Sequence, residues 1–476
     1  MSYLKDLKGS EWRKWDLQVH TPVSIIQRYG EDDEEVWEKF ISDLENLPEE
    51  FKVIGINDYL FLDGYEKVLE YKKNGQLKNI DLILPVLEFR IEKFSGVDFG
   101  KLKRINLHVI FSDELDIETI KSQFLNGLEQ SYKLEKDGNE WNRAITKDSL
   151  IALGRKIKES VPPEELSKYQ SDLEEGFNNL NVDEKRIFEL LERDCFKDKY
   201  LIAIGKTEWD SLKWQDSSIA TKKTIINEAH VVFTAAESVE NWRKSKEKLT
   251  EQKVNNLLLD CSDAHYFSTS SQKDRIGNCF TWIKADPTFE GLKQILYEPE
   301  ERVFIGDEPE LIKRVRENKT KFIKTLKINQ VEGYDGKLGI WFKNIEIPFN
   351  PGLVAIIGNK GNGKSAIADI LGLCGNSYQH DDFSFLNKDR FLKSGLAENF
   401  EAELEWESGE KVKKNLSDDV DKNAPERVRY LPQNYFEKLT NSLDDYEFEK
   451  TLERVVFSHI PEEQKLEKNS FEELIN

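Results

Sequence analysis

The chain has little cysteine, a deficit of positive charge and no long apolar run. Four cysteines occur in 476 residues, at Cys195, Cys261, Cys279 and Cys374, and no pair has CxxC spacing. This excludes the common thiolate zinc motifs and fits reduced thiols. No apolar run approaches the ~18 residues of a membrane span. The opening MSYLKDLKGSEW also lacks the apolar core of a signal peptide. A soluble, cytoplasmic protein with no membrane partner is expected. Lysine and arginine number 69 against 90 acidic residues, giving a formal net charge of −21. A chain this acidic repels nucleic acid on average, which argues against passive coating of a polyanion. It leaves a nuclease open, because metal ions or a local basic patch can hold phosphate. The clusters KLKR (Lys101 to Arg104) and TKK (Thr221 to Lys223) read as solvated surface. Internal repeats and low-complexity tracts are also lacking.

Hydrophobic residues make up 38% and aromatic residues 11% of the chain, enough for a globular protein of about three domains. Up to about Asp113, Val/Ile/Leu-rich runs (FKVIGIND, DLILPVLEF, RINLHVIFSD) alternate with amphipathic stretches such as EEVWEKFISDLENL. This is the pattern of an α/β sheet or barrel with parallel strands. Long polar helical segments fill residues 114–199 and predict a helical insertion. One of them begins at NVDEKRIFELLERD, with Asn181 as the expected cap and Glu184 as its capping-box partner. Strand-like runs then resume in KYLIAIG, HVVFTAA and NNLLLDCSDAH. The charged stretch from Glu298 to Lys321 reads as a linker, and a second α/β unit starts near Phe322. The expected domains are 1–312 and 313–476.

In WDLQVH (Trp15 to His20), apolar and polar residues alternate and a histidine closes the strand. Alone, such a histidine is ordinary. The other strands of the first region, however, also end in metal-binding residues: Asp58 in GINDY, Glu88 in PVLEF, His108 in INLHV, and Asp263 with His265 in CSDAH. Carboxylate oxygens and imidazole nitrogens suit Mn²⁺, Zn²⁺ or Fe²⁺. The C-terminal ends of parallel strands are the usual active-site face of an α/β barrel. Three of the six histidines fall in this set. His230, in NEAHVVF, reads as structural.

The order WDLQVH, GINDY, VLEF, NLHV, SDAH resembles the polymerase-and-histidinol-phosphatase (PHP) family of metallophosphoesterases over roughly the first 310 residues. The resemblance implies a distorted (β/α)7 barrel whose metal cluster hydrolyses phosphate esters. His20, Glu88, His108, Asp263 and His265 would be ligands, with Asp58 a weaker one. His20, Asp58, Lys206, Asp263 and His265 would carry the chemistry. Gln18, Tyr59 and Lys206 stand where the family has imidazoles, with Glu208 a nearby substitute for the last, so two metals are expected rather than three. Lys206 and Tyr59 are expected to handle substrate.

LVAIIGNKGNGKSAIADILGL contains a GxxxxGKS match: Gly358, Asn359, Lys360, Gly361, Asn362, Gly363, Lys364 and Ser365. The apolar run LVAII is expected to form a strand before it and SAIADILGL an amphipathic helix after it, as a phosphate-binding loop requires. Backbone N–H groups would wrap the phosphates of ATP, Lys364 would reach the terminal ones, and Ser365 would bind Mg²⁺. With the strand-like KTLKINQVE, GIWFKNIEIPFNPG, NFEAELEW and RVRYL before Gln433, this order resembles the N-terminal lobe of ABC-type ATPases of the SMC kind. In those a glutamine placed like Gln433 contacts Mg²⁺. No LSGGQ-like signature follows, so the C-terminal lobe is expected to be absent. The two resemblances together match a bacterial PHP–ATPase group (TrlF-like, Ppl-type) of antiphage defence. They imply a nucleic-acid-cleaving enzyme that self-associates through its ATPase lobes. A phosphomonoesterase on a small metabolite, or an inactive barrel acting as scaffold for an ATP-driven switch, are the alternatives.

Overall fold

Apolar side chains alternate along Trp12–Val19 and build β1, the strand around which the first unit is organised. The structure is a computed structural model describing residues 8–98, 101–136, 138, 140–205, 218–421, 423–433, 435, 437, 445–460 and 464–475. The chain divides into two compact units, the first spanning Gly9–Pro309. Its strands are β1, β2 (Phe51–Tyr59), β3 (Leu82–Asp98), β4 (Lys101–Phe111), a hairpin β5 (Glu129–Tyr132) and β6 (Trp141–Ala144), then β7 (Tyr200–Ile204), β8 (Val231–Thr234), β9 (Leu258–Asp260), β10 (Thr281–Lys284) and β11 (Val303–Ile305).

Nine of these strands form one sheet in the order β11-β10-β1-β2-β3-β4-β7-β8-β9. The sheet is curled and nearly closed. Past the end of β9, Ala264 bridges Val19 of β1, with Ala264 N–H donating to Gln18 O (3.1 Å) and His20 N–H to Ala264 O (3.0 Å). Trp15, Leu17, Leu84, Val86, Ala203, Phe233 and Leu259 fill the floor of the curl, all buried. Burying each larger side chain stabilises the unit by about 1.5–3 kcal/mol. Helices α1 (Glu34–Glu45) and α2 (Asp63–Lys73) cover the outer face. On α1 the buried residues are Trp37, Phe40, Ile41 and Leu44, the i, i+3, i+4, i+7 stripe of an amphipathic helix.

The sheet is mixed, not wholly parallel. β4 runs antiparallel to both β3 and β7, because the two residues between β3 and β4 allow only a hairpin. The insertion between β4 and β7 holds β5, β6 and the helices α3 (Ile117–Gln123), α4 (Lys147–Glu159), α5 (Asp172–Asn179) and α6 (Glu184–Leu191). Two details differ from expectation. The cap of α6 is Asp183, whose side chain accepts from Lys185 N–H, while Asn181 N–H donates to Tyr132 Oη. The stretch read as a linker is ordered: Val303–Ile305 adds β11 to the sheet edge through β10. Its Phe304 ring packs edge-on against Trp12 (6.4 Å). An edge strand this short carries too little pattern to stand out among charges.

The second unit comprises Glu310–Asn476 and Lys8. Lys8 O accepts from Asn350 Nδ2 at 3.1 Å. Its sheet is four-stranded and antiparallel: β12 (Ile323–Gln330), β13 (Ile345–Pro348), β14 (Phe400–Trp406) and β15 (Lys411–Asn415), in the order β13-β12-β14-β15. Phe400, Ala402, Leu404 and Trp406 are all buried, as the alternation in NFEAELEW requires. The helix Lys364–Cys374 lies on this sheet. Two expected strands, LVAII and RVRYL, do not form. The run Leu353–Ile357 belongs to no strand and stands exposed, Leu353 at 97% and Ile357 at 90%. An apolar run becomes a strand only beside a hydrogen-bonding neighbour, and none of the four strands lies beside this one.

Candidate metal centre

Above the apolar floor, the cross-strand pair Val86–Ile110 gives way to Glu88–His108 and then to Arg90–Asn106. Because side chains on one face of a strand recur every second residue, Glu88 and His108 point into the curl just past its apolar layer. β1 ends beside them and delivers His20. The chain leaving β9 turns back through Asp263 and His265.

Ligand atoms of His20, Asp263 and His265 all lie within 4.8 Å of one another. The His20 and His265 ring centroids are 4.1 Å apart. His20 Nε2 faces Asp263 Oδ1 at 3.5 Å and Glu88 Oε2 at 3.6 Å. Its Nδ1 sits 3.2 Å from Ser24 Oγ. His265 Nδ1 donates to Asp263 O at 2.7 Å. A carbonyl only accepts, so Nδ1 carries the proton and the Nε2 lone pair faces the cluster, where Tyr59 Oη lies 3.3 Å away. Glu88 and His108 adjoin this triad, with His108 Nδ1 3.6 Å from Glu88 Oε2.

Three amides hold these groups. Asn57 Nδ2 donates to Glu88 Oε2 (2.8 Å), while Asn57 Oδ1 lies 3.0 Å from His108 Nδ1. Asn106 Nδ2 donates to Glu88 Oε1 (2.8 Å). Gln18 Nε2 donates to Asp263 Oδ1 (2.8 Å). Reading the sequence missed Asn57 and Asn106. An amide within an apolar strand, as in IGINDY, was the available signal, and Asn57 is completely buried. With Nδ1 engaged by Asn57, His108 Nε2 is buried and has no hydrogen-bond partner among the described residues. An orphaned buried imidazole nitrogen is costly unless something binds it. His20, Asp263 and His265 could therefore hold a metal ion.

The other candidate residues lie elsewhere. Asp58 is set apart from the triad: its Oδ1 accepts from Thr21 N–H (2.8 Å) and its Oδ2 from Thr21 Oγ1 (2.7 Å), tying down the turn after His20. Lys206 and Glu208 lie outside the described residues. His230 accepts from Ile202 N–H at 2.9 Å and serves the sheet. In the second unit, Gly358–Ser365 forms a loop leading into the helix Lys364–Cys374. Gly361 (φ 90°) and Gly363 (φ 85°) occupy the left-handed region that other residues avoid. Lys364 Nζ donates to Gly358 O (2.8 Å) and Asn359 O (3.0 Å), folding over the loop. Gln433 is exposed and its Nε2 donates to Glu437 Oε1 at 2.8 Å. Asp369, buried on the same helix, accepts from Phe385 N–H (2.6 Å) and Tyr430 Oη (2.8 Å), so the helix is anchored to the segment that leads to Gln433.

Burial sets the protonation of the centre. It pushes His20 down to about 4 and His108 down to about 3, so both imidazoles are neutral at pH 7. Burial, reinforced by the charge of Asp263, pushes Glu88 up to about 8. Burial also opposes ionisation of Asp263. The hydrogen bond with His20 and the neighbouring imidazoles outweigh it and hold that carboxyl below the usual range. Between about pH 4.5 and 8, the folded metal-free site thus keeps a proton on Glu88 that the unfolded chain releases, and stability falls as pH rises. Below the ordinary histidine value of 6.5 the unfolded chain protonates His20 and His108 while the fold does not, and stability falls as pH drops. A bound cation displaces the Glu88 proton. The rise in melting temperature on adding Mn²⁺ should therefore be larger at about pH 8.5 than at about pH 6. Equal shifts at both would show that Glu88 is not a ligand.

No protein-family model matches this chain, and no curated protein matches it significantly.

Proposed function

We propose that residues 9–309 form a metal-dependent phosphodiesterase of the PHP kind that cleaves nucleic acid, coupled to an ATP-binding unit of the SMC kind, in antiphage defence. The observation that carries this reading is the triad His20, Asp263 and His265, with the buried pair Glu88 and His108 adjoining it. This donor set is shaped for a cation and accounts for an otherwise costly buried cluster. A divalent cation there supplies Lewis-acid polarisation and neutralises charge on a phosphoryl group.

The chain's own residues do the positioning. Asn57 fixes the His108 tautomer, leaving the Nε2 lone pair unprotonated, while Gln18 orients Asp263. Gln18 and Tyr59, where the PHP pattern has imidazoles, are engaged with Asp263 and His265, which supports two metals rather than three. Burial and the charge of Glu88 hold the Tyr59 phenol far above its usual value, so it keeps its proton and can donate to a phosphoryl oxygen or leaving group. Lys206 would add a second contact to the polyanion. In the second unit, Gly358–Ser365 would cradle ATP with Mg²⁺ on Ser365, and Gln433 would follow nucleotide state. Self-association through this unit would gate the barrel's activity.

The test is to incubate the purified chain with labelled single- and double-stranded DNA and RNA, with and without Mn²⁺. Cleavage of at least one polymer, abolished by chelation, is expected. Cleavage restricted to small phosphomonoesters would replace the nuclease reading with the phosphatase one.

A further inference from the structure

Two residues beyond Glu88 on the same face of β3 stands Arg90, opposite Asn106, whose amide holds Glu88. β2 has already ended at Tyr59, the register partner of Glu88, so Arg90 occupies the rung outside the donors, at the rim. It is partly exposed and makes no ion pair among the described residues. A guanidinium at the rim of a carboxylate- and imidazole-lined site, with Arg104 bonded to the same Asn178, calls for an explanation in a chain of net charge −21.

The helical insertion holds this arginine from several sides. Arg90 Nη1 donates to Asn178 Oδ1 at 2.9 Å, across 88 residues of sequence. Its Cζ lies 4.2 Å from the Phe177 ring centroid and 5.7 Å from that of Tyr59. The Tyr59 ring stacks on His20 (4.7 Å) and packs on Phe177 (4.9 Å). The backbone is gripped as well: Val182 N–H donates to Arg90 O and Glu92 N–H to Val182 O, each at 2.9 Å. The insertion thus forms a wall of the site and immobilises a charged side chain next to the candidate ligands. Arginine suits this place because its planar fork stacks on rings while the remaining N–H groups stay free to bind phosphate oxygens.

We propose that Arg90 is a phosphate anchor of this centre, positioned by Phe177, Asn178 and Val182 of the insertion to hold a non-bridging oxygen of the substrate. The proposal rests on the phosphoester reading but has a test of its own. Inorganic phosphate is titrated by calorimetry into the Mn²⁺-loaded full chain and into Arg90→Gln, and phosphoester cleavage is measured in parallel. The neutral variant should bind phosphate ~10-fold or more weakly. It should raise KM by a similar factor, leave kcat within about threefold and keep its full metal content. Arg90→Lys should recover part of the affinity. Should Arg90→Gln fold poorly, Arg90→Met, which keeps an apolar stem against Phe177 and Tyr59, takes its place. Unchanged phosphate affinity and KM in a folded neutral variant overturn the anchor, as does a wild-type chain that binds no phosphate. Phosphate binding that depends on Arg90 without any phosphoester cleavage leaves the anchor standing and removes the hydrolytic reading instead.

Discussion

Asp263→Asn should strip the first unit of its cation and abolish phosphoester cleavage while the fold survives. The side-chain oxygen Oδ1 of Asp263 is common to the His20 and Gln18 contacts, and its carboxyl is the one held ionised in the metal-free site. Losing that charge removes the strongest electrostatic attraction for a divalent ion. Asparagine is the cleaner variant because Asp263 has a φ of 50°, a left-handed backbone that Asp and Asn tolerate and alanine resists by ~1 kcal/mol. His265→Ala removes the Nε2 donor without that complication and should behave alike. Since even indirect supports of a metal cost 10- to 100-fold in affinity, each substitution should weaken binding by at least ~100-fold. Elemental analysis after gel filtration, together with a melting curve, checks both. Full cleavage with full metal content in both variants would sink the assignment of the site.

Lys364→Ala should eliminate nucleotide binding by the second unit. Lys364 Nζ donates to two carbonyls of its own loop, Gly358 O and Asn359 O, so its charge is held over the loop that would take the phosphates. The unmutated chain is expected to bind ATP–Mg²⁺ weakly and to hydrolyse it at close to background rate. The apolar run Leu353–Ile357 leading into the loop pairs with no strand among the described residues. Extending the chain with a C-terminal ATPase lobe should bring hydrolysis, and with it a nucleotide effect on cleavage that Lys364→Ala removes. Equilibrium binding of a fluorescent ATP analogue and phosphate release measure the two properties separately. Vigorous hydrolysis by this chain alone would show that the unit is another kind of P-loop fold.

Sequence by itself settled whatever depends on local pattern. Alternation in NFEAELEW determined which side chains of β14 go inside, because a strand's period of two leaves no choice once one face is apolar. In β1 the same alternation sorted apolar from polar, yet Asp16 and Gln18 are buried as well because the sheet's curl encloses that face too. Sequence likewise placed His20, Asp263 and His265 just past strand ends, which the sheet's curl brought together. Glu88 and His108, expected at strand ends too, instead sit inside β3 and β4, where hairpin pairing sets them side by side. The glycines of Gly358–Ser365 marked their loop, since a positive φ is a property of the residue itself. Tertiary structure decided the rest. Asp58 lies at a strand end like the others, yet its carboxylate is taken by Thr21, a contact 37 residues away. Asn57, one position earlier, became the support of Glu88 and His108 only because β3 and β4 lie alongside β2 in register. LVAII has every mark of a buried strand, but pairing needs a neighbour that no local rule supplies. Arg90 owes its setting to helix α5, 82 to 89 residues further along, since ring stacking and a fixed guanidinium require surfaces that meet only after the insertion has docked.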